Sequence, residues 1–226
     1  MVITIQVLLG FVPGFAWLVF YLQEESRPEP KRLIALAFLT GAAVAFIAFA
    51  AQIRIRSLLA GLNMPQYSFT GLFLFAACEE LLKFAAAYAA VHKSPEFEEP
   101  VEAMLYAVVA ALGFATVENI GILLGGNPQS LVLANAFHLV TFRFIGATLL
   151  HTLASGLVGY YWAMSIRHFG AKRFVLGGLC AASLLHALFN YGILHHHNIP
   201  SFSLALLMIA GFFILADFEK LKCKVL

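Results

Sequence analysis

The chain has 226 residues, of which 62% are hydrophobic and only 12% charged, with a formal net charge of +2 and a mean hydropathy of +0.88. A soluble domain carries roughly 25% charged and about 45–50% apolar residues, so these values exclude an ordinary water-soluble protein and indicate a single-domain, polytopic membrane protein whose solvent is the lipid bilayer. The 14 Lys and Arg are scattered through short loops, which excludes a nucleic-acid-binding face.

Apolar runs long enough to cross a hydrocarbon core, about 20 residues each, fall at 1–22, 33–53, 69–91, 101–124, 144–166, 174–194 and 202–218. They predict an all-α transmembrane bundle of about seven spans. The first run lacks a basic start and a cleavage site, so it reads as a retained helix, kinked at Pro13-Gly14. The segment 131–142 is too short to cross alone and reads as an extension of the fifth span, with an interfacial helix as the alternative. Trp17, Trp162 and the Tyr160-Tyr161 pair lie near span ends and read as interface anchors. Glu29, Glu96, Glu98, Glu99 and Glu102 read as solvated loop residues. Cys78, Cys180 and Cys223 have neither metal-type nor disulfide spacing. Ten of the 14 Lys and Arg lie between spans one and two, after the third, after the fifth and after the seventh. This bias places the N-terminus outside and the C-terminus in the cytosol.

Against this background the ionisable residues inside the spans are conspicuous. A carboxylate at the bilayer centre costs roughly 2.5–3.5 kcal/mol on insertion scales, so such residues face a bundle interior or a wet cavity and mark function by default. The third run carries Glu79, Glu80 and Lys83; the fourth carries Phe114, Glu118 and Asn119; the fifth carries His151 and Ser155; the sixth carries His186 and Asn190. Glu79 and Lys83 are four apart and share a helix face, with Glu80 about 100° round. At about 1.5 Å rise per residue, Glu79, Glu80, Glu118, His151, His186 and Asn190 all lie roughly 6–15 Å from the outer ends of their spans, although the helices alternate in direction. One cavity opening outward is the expectation. Arg143 begins the fifth span at the outer interface, as a snorkelling anchor or a substrate-binding group. His195, His196 and His197 read as an exposed run.

Carboxylates and imidazoles are both the ligands of catalytic zinc and the partners of general acid–base catalysis, so the inventory fits either chemistry. It also fits a proton- or ion-coupled transporter, or a scaffold whose polar groups bind helix to helix. The absence of an internal repeat weakens the transporter reading.

The ordered set of Pro13-Gly14, Trp17, Tyr21, Glu29-Pro30, the Glu-Glu-x-x-Lys signature at Glu79, Glu80 and Lys83, Phe114 to Asn119, Arg143 with His151, Gly156 to Tyr160, and His186 to Asn190 resembles the PrsW family of intramembrane proteases, relatives of the CAAX- and bacteriocin-processing membrane proteases. The resemblance runs over nearly the whole chain. It implies an endopeptidase of the prokaryotic plasma membrane that cuts a single-span protein, in known members an anti-sigma factor cut on its extracytoplasmic side. Where the wider superfamily has Phe-x-x-x-His, this chain has Phe114 to Glu118. In a metal version of the chemistry His151, His186 and a carboxylate from Glu80 or Glu118 hold Zn2+. In a metal-free version a glutamate–histidine pair activates water, and Asn190 with a histidine stabilises the oxyanion. Glu80 is the preferred base, Glu79 its alternative, and Lys83 keeps its neighbour ionised.

Overall fold

The computed structural model describes residues 2–23, 29–125, 133–195 and 200–222. Every regular element among them is helical: α1 Val2–Gln23, α2 Lys31–Gly61, α3 Phe69–Val91, α4 Pro100–Gly125, α5 Leu133–Arg143, a π-helical turn Phe144–Thr148, α6 Leu149–Arg167, α7 Lys172–His195 and α8 Pro200–Lys222. Helix is what an apolar chain in lipid must form, because each backbone N–H and C=O then finds its partner within its own segment. The ends follow local chemistry. Ser68 caps α3 by accepting the Gly71 N–H at 3.2 Å, and Pro100 opens α4 at the position where a missing N–H costs nothing.

Among the described residues five helices are long and apolar enough to cross a membrane: α1, α2, α4, the rod running from α5 into α6, and α7; α8 contributes a shorter apolar stretch, Ser203–Asp217. Helix α3 has the length of a span, but it carries Glu79, Glu80 and Lys83 together. The segment before the fifth span does extend it, since α5 continues through the π turn into α6 without a break. Helix α1 likewise continues through Pro13.

Helix α4 is the axis of the bundle: every residue from Val101 to Thr116 is buried. In lipid there is no hydrophobic drive between helices, so close backbone contact between small residues has to supply the attraction. The α2–α4 crossing shows this directly. A Cβ added to Gly41 would lie 1.9 Å from the carbonyl oxygen of Ala110, and one added to Gly113 would lie 1.9 Å from that of Phe38. Both obstacles are backbone, so the helices would have to part. Gly113→Val is expected to destabilise the protein by about 1–3 kcal/mol or more, read as a lower midpoint of thermal unfolding in detergent.

Two sequence expectations are overturned at the end of the bundle where α2 and α4 begin. Glu102 is buried, accepting the Glu98 N–H at 3.0 Å, and Glu29 accepts a 2.5 Å hydrogen bond from the buried Tyr106 hydroxyl. The acidic stretch is therefore partly an internal clasp between the α1–α2 connection and α4. Burial, reinforced by the nearby Glu99, pushes the Glu29 carboxyl above its ordinary range, against the pull of the Tyr106 hydroxyl. Trp162 is buried rather than interfacial, and packs against Phe84 and Phe97 with ring centroids 5.6 and 5.4 Å away. Cys78 and Cys180 are free thiols; Cys223 and the residues His196 and His197 lie outside the described residues.

Candidate active site

Helices α3, α4, α6 and α7 bring the predicted polar residues other than Asn190 into one contact set, most of it shielded from solvent. Glu80 is fully buried and is the hub of one half. Its Oε1 accepts from the Lys83 ammonium at 2.6 Å and from His186 Nδ1 at 2.7 Å, and its Oε2 lies 3.4 Å from the Ser155 hydroxyl. Ser155 lies one turn beyond His151 on α6, so the i, i+4 spacing noted in the sequence delivers both to the same face.

The other half is built around His151. Its Nε2 lies 3.0 Å from Glu118 Oε2 and its Nδ1 3.0 Å from the Lys83 Nζ. Arg143 holds Glu118 from the far side, with Nη2 donating to the same carboxylate oxygen at 2.6 Å, while its Nε donates to Asn119 Oδ1. Asn119 in turn donates to the Thr148 hydroxyl at 3.1 Å. Phe114 lines this half, 5.4 Å from the Lys83 Nζ to its ring centroid and 5.5 Å from the His151 ring. The Phe114-to-Glu118 spacing thus puts a cation-accepting ring and an imidazole-holding carboxylate one turn apart on α4.

The π turn explains how Arg143 and His151 reach one carboxylate. Eight residues apart on an uninterrupted helix they would point roughly 80° apart; one residue absorbed by a π bulge brings them within roughly 20°. Trp17 secures this turn from α1, its indole N–H donating to the Phe144 carbonyl at 3.0 Å while its ring stacks on Phe144 at 5.3 Å. The residue after His151 is fixed likewise, with Thr152 accepting from the Tyr21 hydroxyl at 3.3 Å.

Glu79 occupies a different position from its neighbour. Its Oε1 accepts from the Gln52 amide on α2 at 2.6 Å, whereas its buried Oε2 has no hydrogen-bond partner. That orphan oxygen points at both imidazoles, 4.0 Å from His151 Nδ1 and 3.7 Å from His186 Nε2. The network assigns the tautomers. An ammonium can only donate, so His151 Nδ1 is an acceptor and its Nε2–H donates to Glu118; His186 donates from Nδ1 to Glu80 and leaves Nε2 bare. One donor atom each from Glu79, His151 and His186 therefore lies within 4.8 Å of the others, and the rear nitrogen of each imidazole is fastened to a carboxylate. That pattern is how metal-binding histidines are oriented, and an unpartnered buried carboxylate oxygen facing two imidazole acceptors is the arrangement a cation or the protons of a water would satisfy. The three residues fit a divalent metal.

Asn190 lies one turn beyond His186 on α7, partly exposed, and Arg143 is engaged by Glu118 and Asn119 rather than free at a helix end. Gln52 is the site residue that sequence reasoning missed. An uncharged amide two residues before Arg54, near the end of a long apolar run, carries no warning. By anchoring one oxygen of Glu79, Gln52 decides where the other points. Gln52→Leu is expected to lower kcat by about 10–100-fold, the usual cost of losing a partner that orients a metal or catalytic group, with KM little changed in a single-turnover comparison.

Comparison with known proteins identifies relatives over most of the chain. The model of the PrsW family intramembrane metalloproteases matches residues 29–216. Protease PrsW of Geobacillus kaustophilus (strain HTA426) is 32% identical over 187 residues, covering 81% of this chain and 75% of that protein. Protease PrsW of Bacillus subtilis (strain 168) is 29% identical over 192 residues, covering 80% and 79%. No solved structure matches the chain. The polar set buried at the junction of α3, α4, α6 and α7 thus lies within the matched region of a membrane peptidase, and the chain belongs to the PrsW family of intramembrane metalloproteases.

Proposed function

We propose that this protein hydrolyses a peptide bond in the extracytoplasmic part of a single-span membrane protein, of the anti-sigma-factor kind, in a wet cavity centred on Glu79, His151 and His186. The observation that carries this reading is the orphan Oε2 of Glu79, buried and aimed at two imidazoles whose other nitrogens are anchored. The transport and scaffold readings open to the sequence alone give way to the family assignment. An outside N-terminus and a cytosolic C-terminus put the cavity in the outer half of the bilayer, where such a substrate presents its cleavage site.

Within the site, Glu79 rather than Glu80 is the group that meets the substrate water. Glu80 has both oxygens committed to Lys83, His186 and Ser155; Glu79 has one oxygen uncommitted. Glu79 accepts a proton from water as it attacks the carbonyl and returns it to the leaving amine. Asn190, one turn along α7 from His186, donates to the developing oxyanion. Glu118 and Arg143 hold His151 in orientation, and Glu80 holds His186. Glu79, His151 and His186 are also the residues that would hold a metal such as Zn2+; since both duties draw on the one uncommitted oxygen of Glu79, a bound metal would supply Lewis-acid polarisation of carbonyl and water in place of direct proton abstraction by that oxygen.

The test is co-reconstitution of the purified protein with a single-span substrate in lipid vesicles, with products identified by mass spectrometry. Wild type is expected to cut once on the extracytoplasmic side, and exhaustive chelation is expected to stop the cut, with restoration by added Zn2+. Full activity after chelation would reject the metal part of the proposal. Absence of cleavage with a substrate that a relative does cut would reject the peptidase reading of this site.

A further inference from the structure

Lys83 has a position that neither a base nor a ligand role explains. Its side chain is fully buried. The ammonium donates to Glu80 Oε1 at 2.6 Å and to His151 Nδ1 at 3.0 Å, and faces the Phe114 ring at 5.4 Å. With three donors and no lone pair, it is fully used by these partners. The His151 bond matters most. With Nε2 of His151 tied to Glu118, Nδ1, 4.0 Å from Glu79 Oε2, is the atom left to serve as its ligand beside Glu79 and His186, and an imidazole nitrogen has a single lone pair in the ring plane. It cannot face the ammonium and a metal together.

We propose that the Lys83 ammonium competes with a divalent cation for His151 Nδ1, so that this protein carries its own displaceable cation in the metal site. This rests on the reading of Glu79, His151 and His186 as the metal site given above. Displacement breaks one hydrogen bond, Lys83 to His151, and leaves the Lys83–Glu80 pair in place, so Lys83 need not leave the site. With the metal absent, the ammonium keeps His151 in orientation and partly neutralises the carboxylates around it. Metal affinity is therefore set below what the three donors would otherwise give.

Removing a positive charge raises the affinity of any nearby cation site, so the experiment has to separate competition from bulk attraction. Co2+ binding to the full-length protein in detergent is measured by its visible absorption, with Glu79→Gln/His186→Ala as the blank for other histidines. Lys83→Met is expected to bind Co2+ at least tenfold more tightly than wild type. In a His151→Ala background the same substitution is expected to change affinity less than threefold, because the contested lone pair is gone. A charge-conserving comparison guards against misfolding of Lys83→Met: Glu80→Gln/Lys83→Met, which loses one charge of each sign, is expected to bind at least tenfold more tightly than wild type. Equal gains with and without His151, or no gain in either pair, would overturn the competition. If neither wild type nor any Lys83 variant shows Co2+ absorption above the blank, the metal reading itself fails and takes this inference with it; binding that needs Glu79 and His186 but ignores Lys83 leaves that reading standing and overturns the inference alone.

Discussion

Glu79→Gln is expected to lower the rate of substrate cleavage by about 10²–10⁴-fold, the range over which a positioned general base contributes, while the protein unfolds at the wild-type temperature or slightly above. The two halves of this expectation come from the two oxygens of one carboxylate. Oε1 accepts from Gln52, and a glutamine carbonyl in its place still accepts. Oε2 has no partner, so replacing it with an amide nitrogen breaks no bond of the fold. A buried carboxylate left half unpaired is a cost to stability, which the proposed role of Glu79 in the reaction accounts for. The measurement is initial cleavage rate in vesicles alongside a thermal melt of the same preparation. Activity within tenfold of wild type would move the base to another group, and a large fall in melting temperature would mean that Glu79 belongs to the scaffold.

The same pair of glutamates shows how far the sequence could be read. Ionisable residues inside apolar runs were visible at once, because lipid penalises them, and their depths along alternating helices already placed Glu79, Glu118, His151 and His186 in one layer. Which of two adjacent glutamates turns an uncommitted oxygen toward the imidazoles was not legible. They differ by about 100° around α3, and the choice is made by neighbours on α2, α6 and α7 that no spacing rule identifies. Gln52 was invisible for the same reason, since an amide in lipid is ordinary until its partner is known. Glu102 and Trp162 misled in the opposite sense: their places near span ends suggested solvent and interface, but α4 is enclosed by its neighbours along Val101 to Thr116, and packing from above and beside covers both. The π turn at Phe144–Thr148 has no sequence signature at all, yet it gives Arg143 and His151 a common direction.

Glu80, by contrast with Glu79, is expected to matter for the fold before it matters for the reaction. Glu80→Ala strips Lys83 and His186 of their shared acceptor and leaves an ammonium, buried to the last atom, whose remaining hydrogen-bond partner is the His151 imidazole. Removing one partner of a buried ion pair costs about 3–5 kcal/mol, chiefly because the surviving charge is left uncompensated. The expected result is a large fall in the unfolding midpoint of Glu80→Ala in detergent. Glu80→Ala/Lys83→Met should then recover more than half of that loss, since the orphaned charge goes with its partner, and the two substitutions in contact should be strongly non-additive. Additive losses would mean that Lys83 finds its compensation elsewhere, from Glu79 or Glu118, and that the two halves of the site are one electrostatic unit. Recovery of stability without recovery of cleavage in the double variant would separate what Glu80 does for the bundle from what it does for the chemistry.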